Sequence, residues 1–239
     1  MMSLNFTKDA TRFITLQSML LCLSFIGLFY FLPVGGDIDL NFIQPYIDQY
    51  GLFYLRSDWA LAKLNHNAVK YILILVYFTV LVEWVKAYKK RLYIQCWEFG
   101  YFFVVAMCCT VMIGILKAHA SHACPWDMLV IGSNGWSWDF SATDGHCFPG
   151  GHASSGFALM VGYFIYQRSN PKRAYFFLIA ALILGFSMGW AQMMRGAHFL
   201  SHNLWTGWIT WCINIMVYAL LYQKLPSSKT IQSEDSSPH

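Results

Sequence analysis

Long apolar runs separated by short polar loops make up most of the chain. A run at 67–86 has an apolar core between Lys70 and Lys86, whose long side chains can reach the membrane interface. The other five runs are free of charged residues and cover 13–36, 99–116, 153–167, 174–194 and 203–223. In chain order, 67–86 is the second of the six runs. A membrane helix needs about 20 mostly apolar residues, and lipid cannot satisfy open backbone groups. The pattern therefore predicts an all-α integral membrane bundle of six helices over residues 1–224, with a disordered cytoplasmic tail at 225–239.

The composition points to lipid as the main solvent. Hydrophobic residues make up 57% of the chain and charged residues 12%, against roughly 25% charged in soluble domains. The net charge of +4 does not indicate nucleic-acid binding, because the basic residues fall in loops between apolar runs. We expect the lipid bilayer as a partner and no nucleic acid, while the oligomeric state stays open.

The basic residues also predict an orientation. Eleven of the 16 Lys and Arg residues lie before the first run, after the last run, or in the loops that join runs two to three and four to five. By the positive-inside rule, both termini are cytoplasmic and the other loops face outward. Seven of the eight histidines fall on the outward side. A site that uses them would therefore face outward, which in a bacterial inner membrane is the periplasm.

Two outward segments are too long to be simple turns. Residues 37–66 alternate acidic residues with aromatic ones, which fits either an amphipathic element lying on the bilayer or a plain connecting loop. Residues 117–151 are rich in Gly, Ser, Asp and Trp, and we expect them to form an ordered loop.

Polar clusters stand at the outward ends of three apolar runs. Lys117 ends the third run, His152 opens the fourth, and Arg195, His198 and His202 follow the fifth. Histidine can attack or donate a proton near neutral pH, and cations neutralise an oxyanion. Glycines, here Gly150 and Gly151, let backbone N–H groups approach an anion. Together these residue types indicate chemistry on a phosphate.

In order and spacing, the clusters resemble the type 2 phosphatidic acid phosphatase superfamily of membrane lipid phosphatases. That family carries Lys-x6-Arg-Pro, Pro-Ser-Gly-His and Ser-Arg-x5-His-x3-Asp on a six-helix core. The corresponding blocks here are 117–125, 149–152 and 195–202, and the resemblance extends over roughly 70–222.

The resemblance implies a role for each matching residue. His198 would attack phosphorus and carry a transient phosphohistidine, and His152 would protonate the departing oxygen. Lys117 would clamp the phosphate, with the N–H groups near Gly150 and Gly151 as further donors. No cofactor and no metal are implied.

Four positions depart from the family pattern, namely Cys124 for arginine, Gly150 for serine, Gln192 for arginine and His202 for aspartate. Arg195 lies three residues before His198, nearly one helical turn, and could reach the same phosphate. A neutral His202 could accept a hydrogen bond and fix the tautomer of His198. His119 and His122 are either loop residues or substitutes for the missing arginine charge. His198 and His202 also have the i, i+4 spacing of zinc ligands.

The expected function is a phosphatase for lipid phosphates or pyrophosphates, with its site at the periplasmic face of a bacterial inner membrane. Substrate candidates are lipid A phosphates, undecaprenyl pyrophosphate and phosphatidylglycerol phosphate. Alternatives are a lipid phosphotransferase using the same site, and a non-catalytic membrane interaction protein of the same fold.

Two cysteines in the outward loop form a candidate disulfide. Cys124 stands at the end of the first block and Cys147 just before the second, and in an oxidising compartment they are the natural pair. Two free thiols are the alternative.

Overall fold

The computed structural model describes residues 7–133 and 135–224, apart from the side chains of 64–66 and 224. The tail predicted to be disordered, 225–239, lies outside the described residues. The described chain is mostly helical, and within it five helices are long and apolar enough to cross a membrane. They are α1 (Lys8–Phe31), α3 (Val69–Lys89), α4 (Tyr93–His119), α7 (Pro171–Met194) and α8 (Leu200–Leu221).

Local sequence explains where the long helices begin and end. Thr7 caps α1 by accepting a hydrogen bond from the Ala10 N–H at 3.4 Å. The helix ends at Phe31 rather than at residue 36 as predicted, because a proline, Pro33, disfavours helical backbone in the residue before it. Asn170 caps α7 through the Arg173 N–H at 3.0 Å, followed by a proline at the first helical position.

The fourth predicted run, 153–167, forms a short helical segment at the centre of the bundle. It consists of α5 (Gly151–Phe157), a 3-10 turn (Ala158–Met160) and α6 (Val161–Tyr166), and most of its side chains are buried. The segment packs against α4, α7 and α8. At 1.5 Å per residue it rises about 24 Å, less than the roughly 30 Å of a bilayer core. The count of six spanning helices therefore stays a prediction.

A close helix crossing fixes this central segment. Gly156 in α5 meets Gly185 in α7, where a β-carbon built on Gly156 would lie 2.6 Å from the Gly185 backbone nitrogen. No larger residue fits at this crossing without moving the helices apart.

The segments 37–66 and 120–150 form a second, smaller core at one end of the bundle. Residues 37–66 contain α2 (Asp37–Ile43), and a helical stretch, Ala60–Ala68, leads directly into α3. Ile43 and Phe53 are buried together with side chains from the loop before α5. The segment is thus a packed element and not a plain connecting loop.

The loop 120–150 also contains the one departure from the predicted all-α class within the described residues. Two short strands, β1 (Leu129–Gly132) and β2 (Gly135–Trp138), pair antiparallel in the register Leu129↔Trp138. They rest on the second core, with Trp138 next to Phe199 at a ring-centroid distance of 5.9 Å.

Candidate active site

The three sequence blocks meet at one end of the bundle. Lys117 lies in the last turn of α4, His152 is the second residue of α5, and His202 lies in the first turn of α8. The ring centroids of His152 and His198 are 6.3 Å apart, and those of His198 and His202 are 5.7 Å apart. Lys117 runs past Gly151, where a β-carbon would lie 3.3 Å from the lysine Cδ atom. One group of side chains is formed, and the roles of its members stay predictions.

A glycine turn places His198 at this end. Gly196 has a φ of 78°, a left-handed conformation that favours glycine. Its N–H donates to the Met193 carbonyl at 2.9 Å, and the Ala197 N–H donates to the Gln192 carbonyl at 2.9 Å. These bonds close the carboxyl end of α7 in the manner of a glycine cap. The chain then turns inward and buries His198 before α8 begins.

His198 and His202 face each other inside the protein. Their Nδ1 atoms are 3.5 Å apart, at the limit of a hydrogen bond, and the two side chains are 1% and 0% exposed. The ring of His202 also packs on Phe148 and Phe199, at 5.4 and 5.3 Å between centroids. Nδ1 of His198 is thus directed at His202.

The surroundings of His198 favour its neutral form. Burial lowers the pKa of His198 well below its ordinary value, and the nearby charges of Lys117 and His152 lower it further. A hydrogen bond to the backbone of Cys147 acts weakly in the opposite direction. A neutral imidazole keeps a free lone pair, which a nucleophile requires.

Gly150 has a different role from the predicted oxyanion donor. Its N–H donates to the His202 carbonyl at 3.1 Å, and its carbonyl accepts from the Thr206 hydroxyl at 3.0 Å. A β-carbon on Gly150 would collide with the Asn203 side chain. The N–H of Gly150 is thus committed to α8, and this glycine ties the second block to the third. Gly151 remains the glycine beside Lys117.

Arg195 lies at the edge of the site. Its Nε atom donates to the Arg56 carbonyl at 3.0 Å, and Nη1 donates to Oε1 of Gln192 at 3.2 Å. Burial and the charge of Arg56 lower the pKa of Arg195. Neither bond reaches the histidines, so a phosphate-binding role for Arg195 stays a prediction. It contacts Gln192, the residue that stands where the family pattern has its arginine.

The loop 120–150 adds a further histidine to the group. The ring of His122 lies 4.9 Å from that of His202 and perpendicular to it, whereas His119 is exposed. The Cys147 N–H donates to the His122 carbonyl at 2.9 Å.

Cys124 and Cys147 form a disulfide with Cα atoms 5.1 Å apart, as the sequence predicts. Within 7–133 and 135–224, no group of three or more His, Cys, Asp or Glu residues is arranged to hold a metal ion.

Sequence reasoning missed one residue beside the site, Asp39 of α2. This carboxylate is fully buried and accepts hydrogen bonds from Ser201 and from the Gly35 N–H. Burial raises its pKa above the ordinary value, against the opposing effect of these bonds and of nearby His122. One feature points to such a residue. Phe199 stands at the N-cap position of α8 and provides no side-chain cap, so the first N–H groups of α8 need an acceptor from elsewhere.

A model of the PAP2 superfamily matches residues 96–226, more than half of the chain. The chain belongs to this superfamily. The match covers α4 to α8 and all three blocks, and it leaves α1, α2 and α3 outside. Searches among curated proteins and solved structures found no significant match.

Membership settles the coarse biochemical class. PAP2 proteins are generally phosphatases, which supports a phosphoric ester hydrolase, and the five apolar helices indicate a multi-pass membrane protein. Each departure from the PAP2 motif has a structural partner here. Cys124 is in the disulfide, Gly150 bonds α8, Gln192 accepts from Arg195, and His202 faces His198.

Proposed function

We propose that the chain is a phosphatase for membrane lipid phosphates or pyrophosphates that works through a phosphohistidine on His198. The observation that carries the proposal is the buried His198, with a lowered pKa, beside His152 and Lys117. A neutral buried imidazole next to a second imidazole and an ammonium group has the parts for nucleophilic attack, proton donation and charge neutralisation.

The proposed reaction has two displacement steps. In the first, Nε2 of His198 forms a bond to phosphorus while the bond from phosphorus to the lipid oxygen breaks, and His152 gives its proton to that oxygen. In the second, His152 takes a proton from water, the water oxygen attacks phosphorus, and the phosphorus–nitrogen bond breaks to release inorganic phosphate. Lys117 neutralises the phosphate oxygens in both steps. A positioned acid or base contributes about 10²–10⁴-fold in rate.

An apolar groove supports a lipid substrate over a water-soluble one. A groove of about 600 Å³ lies between α1, α4 and α8 and is lined by apolar side chains that include Phe25, Phe29, Leu116 and Trp205. Phe148 lines the same groove, and its ring contacts His202. A hydrocarbon chain in the groove would lie in the bilayer while its phosphate reaches His198.

The distribution of basic residues supports a side of the membrane for the site. The positive-inside rule supports cytoplasmic termini and a periplasmic site in a bacterial inner membrane. Lipid A phosphates, undecaprenyl pyrophosphate and phosphatidylglycerol phosphate are the substrate candidates with phosphate on that face.

The test is phosphate release from a panel of these lipids and one water-soluble phosphate ester by the purified protein. We expect release from lipid phosphates and its loss in His198→Ala. His146→Ala is the matched control, because His146 is an exposed loop histidine that bonds the Ala120 carbonyl. Near-normal activity of His198→Ala together with a dead His202→Ala would show that the nucleophile lies one turn later. Phosphate found only on an acceptor lipid would identify a phosphotransferase.

A further inference from the structure

Asp39 reaches the catalytic end of α8 from a distant part of the chain. Its Oδ1 atom accepts the Ser201 N–H at 2.8 Å, and Oδ2 accepts the Ser201 hydroxyl at 2.5 Å and the Gly35 N–H at 2.9 Å. Asp39 and Ser201 are both 0% exposed. Three donors on one dry carboxylate make a rigid contact, since charge-assisted hydrogen bonds are the stronger kind.

This contact holds the turn that carries both facing histidines. Ser201 stands between His198 and His202, and its N–H is among the first of α8, which have no partner within the helix. Phe199 at the N-cap position has no side-chain acceptor. Asp39 therefore supplies the cap that helices normally take from their own N-cap residue.

His122 lies near both Asp39 and His202, although it makes no hydrogen bond with Asp39 among the described residues. His122 acts electrostatically on Asp39, and its ring stacks edge-on against His202 at 4.9 Å. The route from Asp39 to the histidines that consists of hydrogen bonds is the one through Ser201.

We propose that Asp39 is a positioning residue for the proposed phosphohistidine chemistry, acting through Ser201 to hold His198 and His202 in their facing arrangement. This inference rests on the proposed function. It places a positioning carboxylate in α2, outside the region that matches the superfamily. Asp39 does not act on the phosphate itself, so its loss is expected to slow turnover without weakening substrate binding.

The experiment compares Asp39→Asn with the matched control Asp37→Asn in the full-length protein, using a lipid phosphate that the wild type hydrolyses. Asp37 is an exposed acid two residues earlier in the same helix. Partners that orient metal-bound histidines from one contact away contribute about 10–100-fold in activity. We therefore expect Asp39→Asn to lower kcat at least about tenfold with KM unchanged, and Asp37→Asn to match the wild type.

Ser201→Ala tests the route of this effect. It removes the hydroxyl bond to Asp39 and keeps the backbone one, so its loss in kcat should be smaller than that of Asp39→Asn. The double variant should lose less than the product of the two single losses, because coupled residues are non-additive. All rates are measured below the lowest melting temperature of the set, which separates positioning from unfolding.

The outcomes are distinct. Three results would each overturn this inference and leave the proposed function standing. They are a wild-type kcat in Asp39→Asn, a rise in KM that accounts for the whole loss of activity, and multiplicative losses in the double variant. A wild-type protein that releases no phosphate from any lipid would overturn the proposed function, and this inference with it.

Discussion

Gly156→Ala tests whether the helix crossing beneath His152 sets the catalytic geometry. The added methyl carbon would lie 2.6 Å from the Gly185 nitrogen and 2.8 Å from the Leu184 carbonyl carbon. Both are backbone atoms, which cannot turn away as a flexible side chain can. To reach the 3.4 Å of ordinary contact, α5 and α7 must separate by about 0.8 Å at this point.

The separation acts directly on the site. His152 lies four residues before Gly156 on the same face of α5, since residues i and i+4 are stacked on a helix. A displacement of about 1 Å in a catalytic group can reduce the rate about 100-fold. Overpacking of this kind also destabilises a protein by about 1–3 kcal/mol. At about 2–4 °C per kcal/mol for a chain of this size, the melting temperature should fall by several degrees.

Two measurements check this prediction, kcat for phosphate release and the melting temperature followed by tryptophan fluorescence. Gly114→Ala is the matched control, a helical glycine of α4 with nothing within 4 Å of its built β-carbon. Gly156→Ala with the kcat and melting temperature of the control would refute the close crossing and the link from it to His152. Loss of stability without loss of kcat would refute the link alone.

Two further predictions concern the loop 120–150. Asp144→Cys, at an exposed position, should react with a membrane-impermeant thiol reagent in intact spheroplasts, while Lys90→Cys at the other end of the bundle should react only after lysis. The reverse pattern would invert the topology. Peptide mapping without reductant should recover Cys124 linked to Cys147, and alkylation of both thiols under those conditions would contradict the disulfide. Replacing both cysteines with serine should destabilise the protein by about 3 kcal/mol, the chain-entropy value for a closed loop of this length.

The parts of the fold that follow from local pattern could be predicted from the sequence. Apolar runs of sufficient length identify α1, α3, α4, α7 and α8, with ends that differ from the predicted ones by at most six residues. The reason is that burial in lipid leaves few alternatives to helix. The blocks around Lys117, His152 and His198 also come together as expected, since each stands at the same end of its helix. The chemistry proposed for them rests on residue type and spacing.

What the sequence could not reveal depends on contacts between distant segments. Asp39 and Ser201 are 162 residues apart, and nothing in the pattern around either residue names the other. The N–H of Gly150 looked available for a phosphate, but the carbonyl that it bonds belongs to His202 on another helix. The β1–β2 hairpin was missed because strands of four residues carry too little periodicity to separate them from a loop.

The buried position of the short α5–α6 segment has a consequence for the response to the bilayer. Hydrophobic mismatch acts on surfaces that touch lipid, and helices answer it by tilting. α1 and α3 bury few of their residues in the protein and so meet the lipid directly, whereas nearly every residue of α6 is buried. A thicker or thinner membrane would therefore tilt the peripheral helices first. The segment that carries His152 is enclosed by α4, α7 and α8. A change in membrane thickness would therefore leave its depth relative to His198 unchanged.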